Sequence, residues 1–79
     1  GVPAERPGSG LAPDLTPREI EVLTLIGEGL TNRGIAERLV VSEATVKTHI
    51  NNLFSKAQLR DRAHAVKYAF THGLVKTRE

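Results

Sequence analysis

The chain has 79 residues, no cysteine, no methionine and a formal net charge of +2. That is room for one small domain, with no disulfide framework and no thiolate metal site, which fits a reducing, cytoplasmic setting. No apolar run approaches the length of a membrane span or a signal segment, and three aromatics (Phe54, Tyr68, Phe70) are too few for a base-stacking sheet. Residues 1–30 carry two basic and five acidic side chains, a net of −3, whereas residues 31–79 carry nine and four, a net of +5. A basic segment of that kind is compatible with a polyanionic partner.

Residues 1–14 (GVPAERPGSGLAPD) contain six Pro or Gly and no periodicity, and are read as a flexible linker or tail. With Gly1 first and no methionine, the chain reads as a piece of a longer protein. Residues 15–79 read as helices throughout. The first starts at Leu15-Thr16-Pro17-Arg18-Glu19-Ile20: Thr16 caps, Pro17 fills the first helical position, Glu19 closes a capping box, and Leu15 and Ile20 form a hydrophobic staple. Ile20, Leu23, Ile26 and Leu30 mark its buried stripe, which ends near Gly27 and Gly29.

The second helix is capped by Thr31, turns Ile35, Ala36 and Leu39 inward, and runs to about residue 40. The third is capped by Ser42 and repeats Val46, Ile50, Leu53, Phe54 and Ala57 on one face. Asp61 caps the fourth, whose apolar residues Ala63, Val66, Phe70 and Leu74 are expected in the core. That placement leaves Ala65, Tyr68, Ala69 and His72 as a second face turned away from it. The fold class is therefore all-α, a four-helix bundle.

Only Val40-Val41-Ser42 separate helices two and three, which suggests a helix-turn-helix over about residues 32–51. In that motif the first helix crosses the phosphates and the second enters the major groove of double-stranded DNA. The non-core face of helix three holds Ala44, Lys47, Thr48, Asn51, Asn52 and Ser55, none of them acidic. A helix shaped for solubility alone would ordinarily include Glu there.

Thr16-Pro17-Arg18-Glu19, the run from Gly29 to Ala36, Ser42-Glu43-Ala44-Thr45-Val46-Lys47-Thr48-His49-Ile50 and the run from Leu59 to Val66 together resemble the LuxR-type helix-turn-helix domain. The Arg60-Asp61-Arg62 run and Gly73-Leu74-Val75 are most similar to its NarL/FixJ response-regulator branch. The resemblance covers about residues 12–75 and implies the DNA-binding output domain of a bacterial transcription regulator, preceded by a receiver or other sensory domain. Carried over position by position, it implies base reading by Lys47, Thr48 and Asn51. It implies phosphate contacts from Thr31, Asn32 and Arg33, with Ser42, Thr45, His49, Asn52 and Lys56 around helix three. It also implies a homodimer on DNA through the last helix, for which Ala65, Tyr68, Ala69 and His72 are the expected face.

Two positions depart from the family pattern. Gly34 stands where a capping-box Glu is usual, costing helix two about 1 kcal/mol. His64 stands where Glu or Gln would follow the Asp61 cap. Capping alone accounts for Thr31, Ser42 and Asp61, and packing accounts equally well for His49. Arg60 and Arg62 read as solvated cations, Arg62 with an internal salt bridge as its alternative. His64 and His72 lack the company a metal site needs, and no cofactor is expected. The alternatives are an output domain serving an autoinducer- or nucleotide-sensing regulator, or a helical protein-interaction module. An enzyme is excluded, since the chain has no paired-carboxylate cleft, activated nucleophile or phosphate loop.

Overall fold

A computed structural model describes residues 11–76. Its four helices are α1 (Pro17–Gly27), α2 (Asn32–Leu39), α3 (Glu43–Ala57) and α4 (Arg62–Thr71). Each begins where a side-chain oxygen accepts a hydrogen bond from the third residue of its first turn: Thr16 from Glu19, Thr31 from Gly34, Ser42 from Thr45 and Asp61 from His64. Only α1 has the reciprocal bond of a full capping box. Gly34 has no side chain with which to return it. In α4 the departure is repaired differently, because His64 Nδ1 accepts the backbone N–H of Arg60 at 3.2 Å, one residue before the cap.

The four helices also end alike. Gly29, Val40, Gln58 and Gly73 each adopt a left-handed backbone, with φ of 94°, 59°, 55° and 76°. The next amide then reaches back to a carbonyl of the last turn: Leu30 to Leu25, Val41 to Ala36, Leu59 to Phe54 and Leu74 to Ala69. The residue that makes this bond is apolar every time, and it packs in or against the core. Leu30 and Val41 thereby hand the chain directly to the caps Thr31 and Ser42, which is why the connections are so short.

Val40 is the costly member of the set. A β-branched side chain in the left-handed region loses about 1–2 kcal/mol, and at 87% exposure this one recovers little by packing. Val40→Asn is expected to raise the unfolding free energy by about 1 kcal/mol in urea titrations. An unmoved midpoint would mean that the turn is not strained.

The core is organised around α1. Val22, Leu23 and Ile26 are fully buried where α1 packs on α4 and α3, while α2 lies mainly on α3 through Ile35 and Ala36. Val46 and Leu53 complete the centre from α3. The stripe expected for α1 was too narrow, since Val22, Leu25 and Gly27 are buried as well, whereas Ile20 and Leu30 are only half-buried. A helix flanked by partners on two sides hides more than one face.

For α4 the expected faces are exchanged in part: Val66 and Leu74 pack against the core as expected, but the other positions do not follow. Ala65 and Ala69 are completely buried, whereas Ala63 is exposed and Phe70 is 37% exposed. The cause is close approach of two backbones: a Cβ placed on Gly27 of α1 would lie 2.8 Å from the Ala69 Cβ and 2.7 Å from a Val75 methyl. Alanine fits against that glycine and a phenyl ring does not. Tyr68 and His72 are half-buried, their rings 4.3 Å apart, and the Tyr68 hydroxyl accepts the backbone N–H of Ala12 at 3.0 Å. The face expected to receive a second copy is thus largely occupied by the chain's own α1 and N-terminal segment. Leu74 follows the helix in a turn, so helical periodicity does not place it.

The expected linker over residues 1–14 falls mostly on residues 1–10, outside the described residues. Its remainder is docked, with Leu11 and Ala12 packed against the core.

Candidate nucleic-acid interface

α2, the Val40 turn and α3 form a helix-turn-helix whose inner faces meet at Ile35, Ala36, Val46 and Leu53. With those residues inside, Ala44, Lys47, Thr48, Asn51, Asn52 and Ser55 all emerge exposed along α3. The three expected base readers therefore share one open face without a carboxylate on it.

Their hydrogen-bonding capacity is not uniform. The Thr48 hydroxyl donates to the Ala44 carbonyl at 3.1 Å, which leaves its oxygen as an acceptor only. Thr48 is thus suited to take a hydrogen bond from a base amino group. Ser42 donates its hydroxyl hydrogen to Thr45 Oγ1 at 3.0 Å while accepting the Thr45 amide. The two hydroxyls thus share one hydrogen between them, and the pair keeps a single hydrogen for a phosphate. Thr31 accepts from Gly34 at 3.1 Å and likewise keeps its own hydrogen. Arg33 is highly exposed, with a loose 3.6 Å ion pair to Glu37 in the next turn. Such a surface pair contributes little to stability and leaves the guanidinium open to a stronger anion. Asn52 is exposed, and His49 lies half-buried between the core and the open face.

Lys56 is placed otherwise than expected. Its Nζ lies 2.9 Å and 3.1 Å from the two carboxylate oxygens of Glu19, a residue 3% exposed in the first turn of α1. Burial alone would raise the pKa of Glu19. The hydrogen bond from the Thr16 amide, together with the hydrogen bonds and charge of Lys56, outweighs it and holds the carboxyl below its ordinary value of 4.5. Lys56 is therefore engaged as the counter-ion of a buried carboxylate.

Arg62, expected as a solvated cation or in an internal salt bridge, is engaged internally but with neutral oxygens. At the start of α4, it donates from its NH1 group to Asn32 Oδ1 at 3.0 Å and from NH2 to the Leu30 carbonyl. Glu19 reads locally as a capping residue, with nothing nearby in sequence to reveal a partner 37 positions away. Among the described residues no group of three His, Asp or Glu is gathered as a metal site requires. No described helix is long and apolar enough to cross a membrane.

Residues 13–69 match the family described as bacterial regulatory proteins, luxR family. The chain belongs to that family. This luxR-family domain is the non-enzymatic DNA-binding part of a transcription regulator, all-helical and built on a helix-turn-helix. It is 51% identical over 61 residues to the transcriptional regulatory protein LnrK of Bacillus subtilis, covering 77% of this chain and 28% of that protein. It is 48% identical over 61 residues to the response regulator protein VraR of Staphylococcus aureus, covering 77% of this chain and 29% of that one. The same identity is found with VraR of Staphylococcus epidermidis. The chain thus spans less than a third of the length of these relatives.

Proposed function

We propose that this luxR-family domain reads DNA through the exposed face of α3, with the first turn of α2 holding the phosphate backbone. The observation that carries this reading is the acid-free polar face of α3, held outward by a helix-turn-helix core. Lys47 suits guanine O6 and N7, Asn51 suits adenine N6 and N7, and Thr48 offers an acceptor oxygen and a methyl group. Thr31, Asn32, Arg33, Thr45, His49 and Asn52 contact the backbone, while Ser42 serves as a cap. In this reading the domain is the output segment of a response regulator, as the name of the VraR relatives suggests, with a receiver domain elsewhere in the full protein. Two copies pairing on DNA through α4 would meet at its outward face, around Ala63 and Phe70, since Ala65 and Ala69 are buried.

The test uses duplexes selected by the wild-type chain from a randomised library, with binding read by fluorescence anisotropy. Lys47→Ala is expected to weaken specific binding by about 1–3 kcal/mol with the melting temperature unchanged. Asn51→Ala should flatten the preference at one base position. Arg33→Ala should weaken all duplexes alike and lower the salt slope by about 1. Unchanged affinity in folded Lys47→Ala would remove α3 from the groove. A changed base preference in Arg33→Ala, with none in Asn51→Ala, would reverse the two helices' roles.

A further inference from the structure

We infer that Arg62, from a helix outside the helix-turn-helix, is a positioning residue for the contact between Asn32 and the DNA backbone. The inference rests on the reading above, in which Asn32 donates to a phosphate. Its ground is the fork that Arg62 makes with Asn32 Oδ1 and the Leu30 carbonyl. A guanidinium has donors only, so the Asn32 amide must turn its oxygen toward Arg62. The Nδ2 group, with two N–H donors, is left as the amide's unengaged end among the described residues. Asn32 is the first residue of α2, where the backbone amides of the opening turn also lack helical partners. A phosphate approaching this turn would meet an asparagine already presenting its donors. Without Arg62 the same side chain could rotate freely, or flip and offer an acceptor that repels the anion.

Arg62 also joins the start of α4 to the turn entering α2, because its second bond holds the Leu30 carbonyl just before the Thr31 cap. A purely structural staple and a positioning residue must therefore be told apart. Lysine in place of Arg62 keeps the charge but lacks the planar fork that engages both acceptors. The experiment measures dissociation constants for a fluorescein-labelled duplex of arbitrary sequence, since phosphate contacts do not depend on base sequence. The proteins are wild type, Asn32→Ala, Arg62→Lys and the double variant, each checked by thermal melting.

Each single variant is expected to bind roughly fivefold more weakly, and the double variant no more weakly than Asn32→Ala alone, because the effect of Arg62 passes through Asn32. Losses that multiply in the double variant would overturn the inference, showing that Arg62 acts by itself. If Asn32→Ala weakens binding and Arg62→Lys does not, positioning fails while the phosphate role of Asn32 stands. Wild-type binding by Asn32→Ala would remove the phosphate contact and this inference together. Asn32→Asp guards against misfolding, because it keeps an acceptor for Arg62 while exchanging the Nδ2 donors for an oxygen. It should melt like the wild type and bind more than about tenfold more weakly. Undiminished binding by Asn32→Asp would also overturn the proposal.

Discussion

Ala69→Glu is expected to unfold the domain. Ala69 has no exposed surface, and its Cβ sits 2.8 Å from where a Cβ on Gly27 would stand. A glutamate there must force α4 off α1 or bury a carboxylate among Gly27, Val75 and the centre of α1. Either outcome costs more than about 3 kcal/mol. A domain of this size has a total stability on the order of 3–10 kcal/mol, at about 0.05–0.15 kcal/mol per residue, so the helical circular dichroism signal should be largely lost at 37 °C. Phe70→Glu, one position along and partly exposed, should cost less, about 1–3 kcal/mol, and leave the domain folded. Retention of the wild-type melting temperature by Ala69→Glu would mean that α1 and α4 do not approach as closely as Gly27 indicates. Loss of cooperative DNA binding in that variant would report unfolding and carry no information on dimerisation. Phe70→Glu is the informative probe of pairing, because it alters the outward face and leaves the domain folded.

The contrast between these neighbours shows what the sequence does and does not display. Helix starts are local chemistry: Thr16, Thr31, Ser42 and Asp61 lie within three residues of the amides they cap, so all four were legible. Two of the four stops were legible in Gly29 and Gly73, but neither Val40 nor Gln58 advertises a left-handed turn. The buried side of α4 was misread because hydrophobic size points to Phe70, whereas packing against a glycine selects Ala65 and Ala69. The open face of α3 was legible because its core period left only small and polar residues opposite. Division of labour within that face was not, since it depends on where each hydroxyl hydrogen goes. Pairings such as Lys56 with Glu19 and Arg62 with Asn32 join residues 37 and 30 positions apart, and no local pattern encodes them.

Lys56→Met is expected to cost about 3–5 kcal/mol at neutral pH, the price of leaving Glu19 charged and buried without its partner. Methionine has nearly the length of the lysine stem, so the loss is chiefly one of charge and hydrogen bonds. The pH dependence should weaken as well. In the wild type the folded carboxyl has a lower pKa than the unfolded one, so its contribution is complete above 4.5 and drains away as pH falls through the folded value. In Lys56→Met the counter-charge is gone and the Glu19 pKa should move up toward the unfolded value, while the Thr16 amide still holds it down. With folded and unfolded values closer together, the variant should lose less stability than the wild type on mild acidification. Glu19→Gln in the Lys56→Met background should recover much of the neutral-pH loss, because glutamine can still accept the Thr16 amide without carrying charge. Urea titrations of the three proteins across pH 3–8 would measure this, and parallel pH profiles for wild type and Lys56→Met would show that the ion pair contributes nothing. The same variant, assayed for DNA binding under conditions where it is folded, should keep the wild-type salt slope. A slope reduced by about 1 would instead mean that Lys56 leaves Glu19 for a phosphate when DNA binds.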